Sequence, residues 1–428
     1  MMSLLEKDRS LIWHPFTQEK TAAPPILITK GKDSYLYDDK NNKYLDLVSS
    51  WWVNIHGHAN DEISNAIYNQ CRKLEHVIFA GFTHEPAVTL CDSLTSLLPS
   101  PLRKFFFSDN GSTAVEVAMK MSYQWWKNQG YHKPLFVAFD GGYHGDTWGV
   151  MSVSVKSGFH DAFEKVVFPV LYAPFPDTWL EDDKVDEKEA NSLIVLRQHL
   201  ETNRHNISAI VLEPLVQGAS GMRMCRASFI DKVTTLVREF DILVIFDEVM
   251  TGFGRTGTYF ALDQTNAVPD FICLSKGITG GFLPLSLTVT TQKIYNSFLD
   301  DNFDKAFTHG HSYTGNPVTC AAAVASFKIL TDLKTKNNIV SINTIHRNRI
   351  NELKKNCKNV QHARITGTIA AFDVKENVQV KKFKEKCFED GILIRPLNRS
   401  VYLLPPYCIT ADELNHAYNV IIKRLNEF

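Results

Sequence analysis

Net charge is almost absent from this chain. Its 46 lysines and arginines meet 47 aspartates and glutamates, leaving a formal charge of −1 over 428 residues. So even a balance gives no electrostatic reason to expect nucleic acid or an anionic membrane surface as a partner. Long apolar runs are missing too. No stretch approaches the roughly 18 uninterrupted apolar residues of a membrane-spanning helix, and the charged start, MMSLLEKDRS, lacks the apolar centre of a secretion signal. The eight cysteines (Cys71, Cys91, Cys225, Cys273, Cys320, Cys357, Cys387 and Cys408) contain no CxxC pair. Scattered in this way they suit reduced thiols in a cytosolic protein. The histidines show neither HExxH nor another paired-ligand spacing, so no metal centre is expected.

What is present is alternation. KFFFSD, PLFVAFDG, ISAIVLEP and DILVIFDEV are short apolar runs that each end in a polar or small residue. Segments of helical periodicity separate them, such as TAVEVAMKMSYQWW and FIDKVTTLVREF. The pattern predicts an α/β fold: a large domain with a mostly parallel sheet flanked by helices, and a smaller α+β domain. Ahead of it, KGKDSYLYDDKNNKYLDL reads as a hairpin around the polar turn Asp38–Asn42. DTWLEDDKVDEKEANS reads as an acidic loop leading into a helix. After a helix-rich stretch, Ala321 to Lys358, come short strands at RITGTIAAFDV, GILIRP and SVYLLPP. The final helix opens with Thr410 and Glu413 at capping-box spacing. The expected division is residues 1–55 as an N-terminal segment belonging to the small domain, 56–325 as the large domain and 326–428 as the C-terminal small domain.

Ligands of an open α/β sheet bind beyond the carboxyl ends of its strands, so the residues that end the apolar runs carry the chemical signal. In SDNGSTAVEVAMKM, Gly111, Ser112 and Thr113 stand where a helix begins, a place that favours an anion. The segment is neither a dinucleotide fingerprint nor a P-loop, and alone it is equally a helix cap. In DGGYHGDTWG, Tyr143 and His144 follow a strand, and an aromatic there can stack on a flat ring or simply pack in a turn. In LVIFDEVMTGFGRTG, Asp247 closes the most apolar run of the chain. A carboxylate in that place calls for a cation or several donors. Lys276, in CLSKGITGG, lies 29 residues beyond Asp247 at the end of another apolar run. A desolvated lysine loses charge and gains nucleophilicity, though a lone strand-end lysine can equally reach solvent. Together, a phosphate cup, a stacking aromatic, an aspartate and a lysine are the parts that pyridoxal 5'-phosphate requires.

The sequence thereby resembles the class III aminotransferases of pyridoxal phosphate fold type I, over essentially its whole length. IFDEVMTGFGRTG and LSKGITGGFLPLS carry the resemblance. It implies that Lys276 is the Schiff-base lysine, that Asp247 pairs with the pyridine nitrogen, that Gly111 and Ser112 hold the phosphate and that Tyr143 stacks on the ring. It also implies a homodimer with active sites at the subunit interface, HGHSYTGNPVTCAAA reaching into the neighbour and Ser312 touching the neighbour's phosphate. Within the class, IWHPFTQ, SSWWVNIHGH and LIRPLNRSVYLLPPY are similar to the biotin-synthesis branch. Its acceptor is 8-amino-7-oxononanoate, a keto-amine with a long aliphatic chain and a distal carboxylate. That similarity puts Phe16, Trp51, Trp52, Tyr143, Gly310, Arg395 and Tyr402 on the substrate side. Trp51 and Trp52 supply apolar walls, and Arg395 can grip a carboxylate with two hydrogen bonds. Two adjacent tryptophans in a strand would face opposite ways. Phe16 stands where users of S-adenosylmethionine usually carry tyrosine, and some members of the branch take lysine as donor. An ω-aminotransferase acting on ornithine or 4-aminobutyrate is the other enzyme reading.

Overall fold

The computed structural model describes residues 2–428. The apolar runs assemble into one seven-stranded sheet in the order Leu102–Ser108, Ser286–Thr291, Phe271–Leu274, Leu243–Asp247, Ile207–Leu212, Leu135–Phe139, Val170–Ala173. The last five of these run parallel. Alternate residues of a strand serve opposite faces. Leu243 and Ile245 enter a core with the helix Gly111–Asn128, whereas Val244 and Phe246 enter the larger core on the other side. Both faces being covered, the central strands are apolar without interruption, as parallel strands should be.

Ser286–Thr291 runs antiparallel to both of its neighbours. It has no counterpart among the strands read from the sequence, because SLTVTT hides its buried character behind hydroxyls. In the fold those hydroxyls are satisfied: Thr288 donates to the Ala114 carbonyl at 2.7 Å and Thr290 to the Asp270 carbonyl at 2.9 Å.

The hairpin forms as Tyr35–Asp38 against Lys43–Asp46, and Asp38 accepts the amides of Lys40 and Asn42 across the turn. A third strand, Ile28–Lys32, flanks it, and the short Ile392–Leu393 lies parallel to Lys43–Asp46 on the other side. The first and last parts of the chain thus share a sheet. Val360–Thr366, Ile369–Val374 and Ser400–Leu403 form a separate antiparallel sheet. The final helix, Ala411–Leu425, begins with the Thr410–Glu413 capping box. Among the described residues no helix is long and apolar enough to cross a membrane.

Candidate active site

Asp247 ends its strand only 3% exposed. A buried carboxylate needs donors, and it has two. One oxygen accepts the Val249 amide at 3.0 Å, and the other lies 2.8 Å from Nδ1 of His144. His144 is buried as well, with its own amide on Ser154 Oγ at 2.8 Å. Burial resists charging of this imidazole, but the hydrogen bond and charge of Asp247 outweigh it and hold His144 above its ordinary value. Glu213, directly after the strand Ile207–Leu212, accepts the Tyr143 amide at 3.0 Å on one oxygen and the Gly218 amide at 2.9 Å on the other. Burial, with help from the charge of Asp247, pushes its carboxyl up to about 7. Glu248 belongs to the framework instead: it accepts the amides of Ala261 and Leu262 and the Thr251 hydroxyl.

Lys276 follows the strand Phe271–Leu274 after a single residue. That strand is the parallel neighbour of Leu243–Asp247, with Cys273 opposite Asp247, so the carboxylate and the amine leave the same sheet edge side by side. The lysine opens a tight turn, Lys276–Thr279, pinned by the Ser326 hydroxyl on the Gly277 carbonyl at 3.2 Å. Its Nζ lies 4.8 Å from the ring centre of Trp52. Burial lowers the pKa of the amine and Arg255 lowers it further, against the pull of Asp247 and Glu213. The neutral, nucleophilic form gains accordingly.

A cradle lies beside this pair. Asn110 caps the helix Gly111–Asn128, its side-chain oxygen accepting the Thr113 amide at 3.0 Å. The first-turn amides of Gly111 and Ser112 have no acceptor within the helix, and its dipole favours an anion there. Ser112 Oγ accepts the Asp146 amide at 2.7 Å, which leaves its O–H free to donate. Only glycine keeps the cradle open. A Cβ on Gly145 would stand 1.7 Å from Ser112 Oγ, and one on Gly111 would stand 2.5 Å from Val249 Cγ1. These residues fit pyridoxal phosphate: amides and a hydroxyl for its phosphate, a buried carboxylate for its ring nitrogen and a desolvated amine for its aldehyde.

The same cavity, about 1040 Å³, is also lined by Phe16, Trp51, Trp52, Tyr143, Arg395 and Tyr402. Tyr143 donates to Asp146 at 2.8 Å, and its ring lies along His160, 5.7 Å away with 17° between the planes. Arg395 lays its guanidinium 3.9 Å from the ring centre of Trp51, with Phe16 edge-on to the same indole at 5.4 Å. Trp52 donates its indole N–H to Tyr402 Oη at 3.1 Å. The tryptophans sit on a tight turn rather than in a strand, so both line the cavity. Gly310 and Ser312 are not brought there. They are exposed on a segment that does not line this cavity.

Sequence alone gives no role to Glu213 or to His144. A glutamate directly after the buried run ISAIVL was a signal of the same kind as Asp247. The pairing of His144 with Asp247 had no local signal, since 103 residues separate them.

Residues 16–425 match the family described as aminotransferase class-III. The chain is 46% identical to the adenosylmethionine-8-amino-7-oxononanoate aminotransferase of Synechococcus elongatus, over 97% of this chain and 98% of that one. It is 40% identical to that of Helicobacter pylori, over 99% and 98% respectively. The solved structure of adenosylmethionine-8-amino-7-oxononanoate aminotransferase from Methanocaldococcus jannaschii is similar with a TM-score of 0.91 at 34% identity, covering 99% of this chain and 98% of that one. The fold is thus that of pyridoxal phosphate fold type I. At such identity and coverage the chain belongs to the class III aminotransferases, enzymes that work with pyridoxal phosphate.

Proposed function

We propose that this enzyme converts 8-amino-7-oxononanoate to 7,8-diaminononanoate, with S-adenosylmethionine as amino donor, in biotin biosynthesis. One observation carries the reading furthest. Arg395, stacked on Trp51, stands on the wall of an indole-lined cavity that also holds Lys276. An apolar chain ending in a carboxylate matches that arrangement. The names of the relatives support the same substrates.

Bound pyridoxal phosphate supplies an electrophilic carbon and an electron-accepting ring. Gly111 and Ser112 would hold its phosphate, Asp247 would keep its ring nitrogen protonated and Tyr143 would offer its ring as a stacking face. Lys276, whose neutral form burial favours, takes the proton from Cα of the donor. In the second half-reaction it returns a proton to C7 of the acceptor. Arg395 orients the acceptor through its distal carboxylate, and Trp51 and Trp52 exclude water from its chain. The wide cavity and the rim of Phe16, Trp51 and Phe159 suit the adenine ring of the donor, for which edge and face contacts to aromatics suffice. The enzyme works as a homodimer, with Ser312 of each chain serving the cofactor phosphate of the other.

The test offers 8-amino-7-oxononanoate with either S-adenosylmethionine or lysine and measures the diamine. Product with S-adenosylmethionine is expected. Phe16 lacks the hydroxyl common among users of that donor, so product with lysine alone overturns the donor assignment. Product with neither overturns the function. Lys276→Ala should abolish turnover together with the visible absorption of lysine-bound cofactor.

A further inference from the structure

Four consecutive residues, Ser49, Ser50, Trp51 and Trp52, have φ of 47°, 47°, 83° and 73°. None is glycine. In this region the Cβ of an L residue crowds the following carbonyl oxygen, so single residues visit it and runs are rare. Here a whole turn is left-handed, and two of its four residues carry indoles. A conformation like this persists only where its surroundings over-determine it.

Asp46 is the centre of those surroundings. It ends the strand Lys43–Asp46 and is 0% exposed. One oxygen accepts the Val48 amide at 3.1 Å. The other accepts the Ser50 hydroxyl at 2.8 Å and faces Nε2 of His58 at 3.0 Å. The side-chain nitrogen of Asn54 lies 2.9 Å from Nδ1 of the same ring. Nδ1 is therefore the acceptor, and Nε2–H donates to Asp46. Two more anchors come from distant segments: the Ser49 hydroxyl on the Leu404 carbonyl at 2.7 Å, and the Arg255 guanidinium on the Trp52 carbonyl at 3.2 Å.

The turn has a consequence for the cavity. Trp52 reaches Tyr402 and flanks Lys276, while Trp51 lies against Arg395. Arg395 itself is fixed through the neighbouring strand: Asp46 pairs in register with Leu393, two residues before it. The wall and the carboxylate grip thus emerge from adjacent parallel strand ends.

We propose that Asp46, with His58 and Ser50, is a positioning residue for substrate recognition. It holds the left-handed turn that sets Trp51 against Arg395 and Trp52 beside Lys276, and so shapes the wall against which the keto acid binds. The proposal rests on reading that cavity as the site of the keto acid.

The test uses the holoenzyme and three variants. Asp46→Ala removes the central acceptor. The KM for 8-amino-7-oxononanoate should rise about tenfold or more with kcat changed less, because the wall is displaced while the reacting groups stay. Cofactor absorbance at full occupancy should stay unchanged. Crystals of this variant should show φ at Ser50 and Trp51 leaving the positive region. Adding Ser50→Gly to it should recover part of the lost KM, since glycine enters that region freely. Should Asp46→Ala fail to fold, Ser50→Ala removes a single anchor and should raise KM about two- to fivefold. An unchanged KM in the variants, or an intact left-handed turn in Asp46→Ala crystals, overturns the proposal. If the wild type does not convert the keto acid, the proposed function falls, and the crystallographic comparison still decides the role of Asp46.

Discussion

Glu213 shows how narrowly a single buried carboxyl is specified. Both of its oxygens accept backbone amides, from Tyr143 and Gly218. Glutamine has one acceptor oxygen, so in Glu213→Gln one of those amides would meet an NH2 group. Leaving a buried donor unsatisfied costs about 1–3 kcal/mol, and the thermal midpoint of the variant should fall accordingly. A pH signature accompanies the loss. The carboxyl titrates at about 7 in the fold, against an ordinary 4.5. Between those values the native state binds more protons than the unfolded chain, so the contribution of Glu213 is full below the lower value. It is lost as pH rises through the upper one. Thermal denaturation of the cofactor-free protein from about pH 5 to about pH 8 should therefore fall more steeply in the wild type than in Glu213→Gln. Parallel curves would show that Glu213 is charged throughout.

At the scale of the element, the cradle depends on how closely a loop approaches the helix Gly111–Asn128. Gly145 has φ of +126°, and a Cβ there would lie 2.8 Å from the backbone Cα of Ser112 as well as 1.7 Å from its hydroxyl. Backbone cannot swing aside as a flexible side chain can. Gly145→Ala should push the first helical turn out of place and weaken cofactor binding, read as loss of visible absorbance on dialysis. Gly130→Ala is the control. Its φ is also positive, +87°, but nothing lies within 4 Å of the added methyl. It should cost about 1 kcal/mol of stability for the backbone strain alone and leave cofactor retention intact. The same elements show what the sequence exposes and what it conceals. Leu243–Asp247 and Ile207–Leu212 were legible because strands buried on both faces must be apolar, and in the first of them that made the closing Asp247 conspicuous. Lys276 and Asp247 stood out for the same reason. Ser286–Thr291 was not legible, because its hydroxyls find acceptors only in the folded sheet. The left-handed turn at Ser49–Trp52 was not legible either. No local preference favours four positive φ values, which are imposed by Asp46, Leu404 and Arg255 from outside the turn.

At the scale of the whole molecule, the surface carries apolar side chains that a lone subunit would not be expected to leave in water. Ile78 is 60% exposed, Phe82 61% and Tyr313 66%. They belong to two segments packed on each other: the rings of His76 and Tyr313 lie 5.6 Å apart, and the Asn316 side chain donates to the Glu75 carbonyl at 2.9 Å. Gly310 and Ser312 lie on the second of these segments, outside their own cavity. A two-fold pairing through this face would let each chain complete the site of the other. Mixed dimers separate that arrangement from a self-contained subunit. On the proposed roles, Lys276→Ala should be dead in its own cavity. Ser312→Asp would set a negative charge against the neighbour's phosphate and should also be inactive as a pure dimer. Co-expressed, the two form mixed dimers in which one cavity joins the intact Lys276 of one chain to the intact Ser312 of the other. With random pairing, half the dimers are mixed and each has one good site of two, so activity should return to about a quarter of wild type. If Ser312 serves its own chain, every cavity in the mixture carries a defect and no activity returns.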